Sequence, residues 1–204
     1  MANSNTKGFG LIAAGTLGAT PATGGQNKYK IDAGYATSIF QGNYVQIDSA
    51  GGANTNPGYI ITGQSAVTNP TIGVLNGVFY NAATTEKPTF QNYYSQVTPA
   101  NSEDITAFVI DNPLQLFVAS VDAAVTQANY GKTYGLTTGA PGGSTTSGQS
   151  SSEVIVAGVS NTANSWRLIR TAEDPENNDI TAANCSVIVC QNLNQYLTNA
   201  VTWQ

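Results

Sequence analysis

The chain has 204 residues and a formal net charge of −5, from 7 basic and 12 acidic residues, and it contains no histidine. The missing histidine excludes the Ser-His-Asp and Cys-His types of catalysis and removes the commonest metal ligand. Charged residues make up only 9% of the chain, against roughly 25% in an ordinary soluble domain. Such a neutral surface favours close packing in an assembled particle, because the centres of interfaces are poor in charge.

Residues 1–27 are rich in Gly, Ala, Thr and Asn and follow neither a helix nor a strand period, which predicts an N-terminal arm. We expect its apolar side chains to dock on a neighbouring subunit, and a disordered terminus is the equal alternative. Lys7 and the apolar run after it also loosely resemble a signal peptide, which leaves secretion open. The candidate interface residues of the arm are Phe9, Leu11, Ile12 and Leu17.

From residue 28 onward the pattern becomes that of short strands separated by Gly, Pro and Asn turns. Asn76-Gly77 interrupts one of these strands and marks a hairpin turn or a bulge. We therefore expect an all-β fold, a single β-barrel or β-sandwich domain over 28–196. The predicted strands are 28–32, 44–47, 59–61, 72–80, 105–110, 114–118, 154–159, 166–171 and 185–191.

One helix interrupts the predicted strands. Apolar residues recur at i, i+3, i+4 and i+7 from Val121, and Gly131 follows as a stop signal, which predicts a short helix over about 121–130. Residues 138–152 are almost entirely Gly, Ser and Thr and predict a long surface loop within the domain. Residues 197–204 are interpreted as a C-terminal tail.

The basic residues are scattered along the chain and do not form a cluster. Nucleic-acid binding depends on clustered Lys and Arg that release counterions from the phosphates, and an anionic membrane surface attracts the same kind of cluster. No stretch is apolar enough to span a bilayer as a helix. We therefore expect neither nucleic acid nor a membrane as a partner. The basic residues are Lys7, Lys28, Lys30, Lys87, Lys132, Arg167 and Arg170.

The two cysteines are interpreted as structural. In an extended strand Cys185 and Cys190 lie roughly 16 Å apart on opposite faces, at about 3.3 Å per residue. A disulfide requires Cα atoms within about 7 Å of each other. We therefore expect two small buried apolar side chains, which neither bridge each other nor begin a zinc site.

Carboxylates are the remaining candidates for catalysis or metal binding. Glu103-Asp104 and Glu173-Asp174 are adjacent pairs in loop-like stretches, and sequence neighbours diverge on a strand, so we interpret them as solvated charges. The acidic loop 173–179 has a spacing that calcium could use, but it lacks the Gly and terminal Glu of a helix-loop-helix site. The sequence therefore predicts no catalytic, cofactor-binding or metal-binding residue.

The chain has 10 tyrosines, several of which could line a sugar-binding face or a protein interface. Aromatic residues favour strands without any ligand, so most of these are expected in the core or at its rim. The tyrosines considered are Tyr35, Tyr44, Tyr59, Tyr80, Tyr93, Tyr94 and Tyr130.

Several segments, in order, resemble a family of capsid decoration (cement) proteins of tailed bacteriophages, especially of marine podovirus-like phages. The family often has histidine where Asn194 stands in this chain. The arm and the C-terminal tail lie outside the resemblance. The segments that carry it are 28–43 (KYKIDAGYATSIFQGN), 72–80 (IGVLNGVFY), 87–94 (KPTFQNYY), 107–113 (AFVIDNP), 166–170 (WRLIR) and 187–196 (VIVCQNLNQY).

The resemblance implies a non-enzymatic structural protein on the outer capsid surface of the virion. Its partner would be the major capsid protein, whose subunits it would bridge, and homotrimers are common among such proteins. Three alternatives remain open: another virion component such as a head fibre base, tail or adaptor protein; a secreted bacterial adhesin or carbohydrate-binding β-domain; and a glycan-cleaving enzyme that uses carboxylates.

Overall fold

The fold was determined as a computed structural model, which describes residues 3–18, 25–48, 58–63, 69–137, 142–160 and 163–197. These residues form twelve β-strands and two short 3₁₀ helices, Ala100–Ser102 and Gln127–Asn129. The prediction of an all-β fold is confirmed. The strands are β1 (Ile12–Thr16), β2 (Asn27–Ile31), β3 (Tyr44–Ile47), β4 (Ile60–Thr62), β5 (Gly73–Asn81), β6 (Pro88–Gln91), β7 (Ile105–Ile110), β8 (Gln115–Ser120), β9 (Thr133–Leu136), β10 (Val154–Ser160), β11 (Trp166–Thr171) and β12 (Ser186–Gln191).

The strands form two sheets. The first sheet has the order β1-β8-β12-β11-β9-β10, and the second has the order β2-β7-β5-β3-β4, with β6 paired to β5. The strand pairs within both sheets are antiparallel. The pairing of β5 with β7 shifts between Leu75 and Gly77, so the Asn76-Gly77 dipeptide marks a bulge.

Isolated β-bridges connect non-adjacent strands and partly close each sheet. In the second sheet, the backbone N of Lys30 donates to the carbonyl O of Gly58 at 2.8 Å, and Lys30 forms a parallel bridge with Tyr59. In the first sheet, Val121 forms a parallel bridge with Val154. Each sheet thus joins strands that lie far apart in its strand order, which encloses a separate hydrophobic core.

Strand alternation divides the apolar side chains between two cores. Successive residues of a strand point to opposite faces of the sheet. On β5, Val74 therefore packs in the core of the first sheet while Leu75 packs in the core of the second. On β7, Ile110 and Val109 divide in the same way. The outer face of the second sheet thereby covers one side of the first.

The helix predicted over 121–130 is wrong. Val121 and Val125 are buried, as the pattern required, but their backbone amides bond to distant carbonyls. The N–H of Val121 donates to Cys185 at 3.1 Å, and that of Val125 donates to Ile180 at 2.9 Å. These long-range bonds replace the i to i−4 ladder, and only the single 3₁₀ turn at Gln127–Asn129 remains.

The described part of the predicted arm packs against the domain. Residues 12–16 form β1, which pairs with β8 in the register Ile12 to Val118 and Thr16 to Gln115. Residues 3–18 are therefore not a free arm in this structure. The predicted segment 19–24 lies outside the described residues.

The predicted Gly/Ser/Thr loop is described from residue 142 onward, and 138–141 lie outside the described residues. No named strand occurs between 142 and 152. The loop is nevertheless held in place, since Gln149 forms a bridge with Gln41 and the side chains of Ser150 and Ser152 are buried. Of the predicted tail, residues 198–204 lie outside the described part of the chain.

Candidate interface and binding sites

The N-terminal segment 3–11, named the strap below, is anchored first at the acidic loop. The side-chain amide of Asn3 donates to the carbonyls of Asp179 and Ala183, at 3.0 and 2.8 Å. The backbone N of Asn5 donates to Oδ1 of Asn177 at 2.7 Å. Amide side chains supply donors and acceptors at once, so they bind this irregular backbone without an ion pair.

Two glycines let the strap lie against the 142–152 loop, backbone to backbone. A Cβ on Gly8 would stand 2.3 Å from the carbonyl O of Ser151, closer than any real contact. Gly10 has a φ of 79° and donates its N–H to Ser152 at 3.0 Å. Both positions require glycine, one for space and one for its positive φ. The two glycines therefore allow the strap to pack closely against the 142–152 loop.

The four predicted interface residues have different environments. Leu11 is 4% exposed and belongs to the core of the first sheet, so it is unavailable to a partner without local unfolding. Phe9 is half-buried. Ile12 and Leu17 are 52% and 44% exposed. The structure thus leaves Phe9, Ile12 and Leu17 as surface candidates and corrects Leu11 to a core residue.

Strand β1 lies at the edge of the first sheet. Apart from their strand pairing with β8 and a hydrogen bond that the Gln115 side chain of β8 donates to the carbonyl O of Gly15 at 2.7 Å, residues 12–15 make no hydrogen bond to any other residue that the structure describes. Leu17 donates its N–H to Leu114 at 2.8 Å, and both side chains are exposed. The surface formed by β1, Leu17 and Leu114 is named the β1 edge; it is uncharged and presents an open strand.

A groove of about 400 Å³ runs beside the β1 edge. Its floor includes Val74 and Ile110 from the second sheet, and its wall includes Ile12. The amides of Gln41 and Asn76 stand at the groove and hydrogen-bond to each other at 3.0 Å. The groove therefore joins both sheets, and none of the described residues that line it is charged.

A second exposed apolar surface lies on the outer face of the second sheet. Phe79 on β5 pairs in register with Phe90 on β6, and both are exposed, at 39% and 63%. The rings of Phe90 and Phe108 lie 5.9 Å apart, and Phe90 lies over Gly77, where a Cβ would meet its ring at 2.7 Å. The group Phe79, Phe90 and Phe108 is named the aromatic patch.

The aromatic patch was not among the sequence candidates. Its signal was available in part, because Phe79 stands one residue from the buried Val78 and so faces outward on β5. The patch depends on β6, however, which the sequence analysis did not identify as a strand. The register of β6 on β5 is what brings Phe90 to Phe79.

The adjacent carboxylates of Glu103 and Asp104 bond to different partners. Asp104 accepts hydrogen bonds from the Tyr59 hydroxyl and from the Lys30 ammonium, the latter at 3.3 Å. Glu103 accepts from Asn81 at 3.3 Å. The two carboxylates therefore serve separate contacts, and Asp104 with Lys30 and Tyr59 forms a clasp across the β2–β4 junction.

The acidic loop uses its carboxylates to hold backbone and side-chain donors. Asp174 accepts from Asn177 at 2.8 Å, from Ser186 at 3.3 Å and from the backbone N of Glu176 at 3.1 Å. These bonds lower the pKa of Asp174, that of Asn177 most. In the parts of the chain that the structure describes, no group of three or more His, Cys, Asp or Glu side chains is placed to hold a metal ion.

The cysteines and the tyrosines are largely structural. Cys185 and Cys190 are free and buried, as expected, and burial raises the pKa of both thiols. The Tyr44 hydroxyl donates to the carbonyl O of Leu136 at 2.8 Å and so links the two sheets. Burial raises the pKa of Tyr94 to about 12. Of the other tyrosines considered, Tyr59 and Tyr80 are buried, and Tyr35, Tyr93 and Tyr130 are half-buried.

At a significant level, the chain matches no model of a known protein family, no curated protein and no solved structure. Among the described residues there is no helix with the length and apolarity needed to cross a membrane.

Proposed function

We propose that the protein is a structural component of a tailed-phage virion that binds the outer surface of the major capsid shell and stabilises it by bridging capsid subunits. The order of the segments that resemble capsid decoration proteins supports this role. The low charge supports it as well, because charges buried at an interface must lose their water. The protein acts by adhesion and needs no catalytic centre.

The observation that carries the proposal is the pair of exposed apolar surfaces on different sheets. The β1 edge belongs to the first sheet and the aromatic patch to the second. A protein that bridges two subunits needs two contact surfaces, and repetition around a symmetric shell multiplies modest affinities. Exposed large apolar side chains grouped in this way mark interaction surfaces more often than single ones do.

The strap is bound to its own domain, so the N-terminal residues would contact the capsid differently from a free arm. The hypothesis of a free arm that orders on a neighbour requires a loss of conformational entropy on binding. In the structure the strap is already bound to its own domain through Asn3, Asn5 and Gly10. Ile12 and Leu17 are therefore presented by a fixed edge, which lowers the entropic cost of docking.

Co-sedimentation with emptied, expanded shells of the phage that carries the gene tests the proposal. We expect the purified protein to bind at a fixed ratio to the major capsid protein. Ile12→Lys and Phe90→Lys should each lower occupancy, because each places a charge in an uncharged contact. Val159→Lys is the matched control, since Val159 is 40% exposed on β10 at the opposite edge of the first sheet.

Two results would overturn this proposal. Absence of binding by the unmodified protein would remove the capsid role. Imaged particles that carry the protein on the tail would select another virion component, such as a tail or adaptor protein. Self-association, with a homotrimer as the proposed state, is checked separately by sedimentation velocity over a range of protein concentrations.

A further inference from the structure

A polar pocket lies between the strap and the 142–152 loop. Its lining comes from residues 4–9 on one side and 143–151 on the other, and its volume is about 410 Å³. That volume lies within the range of roughly 300–1,000 Å³ typical of small-molecule sites. The pocket opens to solvent, since several of its lining residues, such as Thr6, Lys7 and Gln149, are exposed.

The walls of the pocket are held in place by close backbone packing. Gly8 lies against the carbonyl of Ser151, and a Cβ on Gly143 would meet the Phe40 ring at 2.2 Å. The Phe40 ring in turn stacks on Tyr93 at 5.3 Å between ring centroids. A pocket built in this way exists before a ligand arrives, so binding does not have to order its walls.

Several lining side chains have unused hydrogen-bonding capacity. Within the described residues, the hydroxyls of Thr6 and Ser151, the amide of Gln149 and the ammonium of Lys7 make no side-chain hydrogen bond or ion pair. Together they offer hydroxyl, amide and ammonium groups to a ligand. The half-buried ring of Phe9 adds an apolar face at the same pocket.

The charge of the residues that line this pocket indicates which class of ligand it can bind. Among the described residues that line the pocket, Lys7 is the single charged one and none is acidic. A sugar presents hydroxyls to amide and hydroxyl groups and a C–H face to an aromatic ring, and a carboxylate on the sugar would meet the ammonium. We propose that this pocket binds an acidic monosaccharide unit, a pyranose that carries a carboxylate.

The pocket is a different site from the proposed capsid contacts, although it adjoins the groove at Phe9 and Gln149. The ligand could be a free sugar acid or the terminal unit of an acidic polysaccharide, which share the same chemistry. Saccharide binding would act in addition to adhesion to the shell, and it does not depend on the proposed capsid role.

Saturation-transfer NMR and calorimetry on the purified full-length chain test this inference. The probes are glucuronic acid, N-acetylneuraminic acid, glucose, acetate and a hyaluronan oligosaccharide. We expect binding of the sugar acids, weaker binding of glucose and none of acetate. Tighter binding of the oligosaccharide than of free glucuronic acid would identify the polysaccharide as the source, and equal binding would identify the free sugar.

Substitutions locate the site. Lys7→Gln should lower the affinity for glucuronic acid about fivefold to tenfold, as the loss of one typical hydrogen bond does when the group is exposed to solvent, and leave glucose binding unchanged. Gln149→Ala should weaken both. Lys87→Gln, at an exposed lysine far along the chain from the pocket residues, is the matched control. The midpoint of thermal unfolding of each variant checks that the fold is intact.

No binding by any sugar acid would overturn the inference, and so would equal binding of glucose and glucuronic acid in the unmodified protein. Shell binding by Lys7→Gln is expected to equal that of the unmodified protein. Failure of the saccharide site and failure of the capsid proposal are therefore separate results.

Discussion

The two cores of the protein are assembled from the chain in different ways. The buried core of the second sheet draws its residues from one continuous stretch, between Ile31 and Val109. The core of the first sheet combines Leu11 from the strap, Val74 and Ile110 from the second sheet, and residues as distant as Val189. One half is therefore local in sequence, whereas the other depends on segments brought from both ends.

Because of this difference, the core of the first sheet depends on residues from outside that sheet. Its core needs the strap to supply Leu11 and the second sheet to supply a wall, whereas the second sheet closes on itself through the Lys30–Tyr59 bridge. The Tyr44 hydroxyl and the Leu136 carbonyl couple the halves directly. We expect the two halves to unfold together, because the strap contacts both: Leu11 lies in the first core and donates its N–H to the carbonyl O of Gly42, just before β3, at 3.0 Å.

The largest expected effects come from truncating the cores. Leu168→Ala in the first core and Ile105→Ala in the second remove side chains that are 0% exposed, and each should lower the free energy of unfolding by about 2–5 kcal/mol. Urea unfolding followed by far-UV circular dichroism measures both. Because residues of the second sheet also pack in the first core, we expect a single unfolding transition that both variants shift. Two separate transitions, with Ile105→Ala shifting only one of them, would show that the halves are independent.

Displacing the strap from the 142–152 loop should have the next largest effect on the free energy of unfolding. Gly8→Ala places a Cβ against the backbone of Ser151, and we expect a loss of about 1–3 kcal/mol in the free energy of unfolding, as for overpacking elsewhere. Gly15→Ala is the matched control, because no heavy atom lies within 4 Å of its added Cβ. Limited proteolysis should cleave the N-terminal segment faster only in Gly8→Ala. Equal cleavage in both variants would contradict the role of the strap.

The clasp that closes the second sheet should contribute less. Tyr59→Phe removes the hydroxyl that donates to Asp104 and should cost about 1–2 kcal/mol in the free energy of unfolding. Lys30→Gln should cost less than about 1 kcal/mol, because its ion pair with Asp104 is exposed and screened by salt. Denaturation at low and high ionic strength separates the two variants. A salt-dependent loss in Tyr59→Phe and a salt-independent loss in Lys30→Gln would contradict this assignment.

The smallest expected effect concerns pH. Partial burial, together with the nearby Asp122 carboxylate, raises the pKa of Glu153 above its usual value of 4.5. The folded protein then holds this proton more tightly than the unfolded chain does, so ionisation of Glu153 lowers stability as the pH rises above 4.5. Glu153→Gln should therefore raise the midpoint of thermal unfolding at pH 7, and the gain should disappear below pH 4. A gain of equal size at both pH values would contradict this cause.

The strands with clear alternation could be predicted from the sequence. Segments such as 105–110 and 166–171 coincide with β7 and β11 because one face of each strand is buried and the other is not. Strand β9 was missed because all four of its residues are buried, which removes the alternation. Strand β1 was missed because Ile-Ala-Ala-Gly-Thr has small side chains and no apolar period.

Which of the interface candidates reach the surface could not be predicted from the sequence. Phe9, Leu11, Ile12 and Leu17 were proposed alike, but in the structure Ile12 and Leu17 are exposed, Phe9 is half-buried and Leu11 is buried. The depth of a side chain in an edge strand depends on which partner strand lies beside it. The pocket between the strap and the 142–152 loop could not be found from the sequence, because Lys7 and Gln149 are far apart in the chain.

The sequence by itself determined the all-β class, the neutral surface and most strand positions, since alternation, turn residues and composition act over a few neighbouring residues. Only the tertiary structure decided that residues 3–16 lie on the body of the protein, that 121–130 is not a helix, and that two cores exist. Those outcomes depend on hydrogen bonds and contacts between residues far apart in the chain, such as Val121 with Cys185 and Leu11 with the first core. Local patterns carry no information about which distant strand will satisfy a given backbone group.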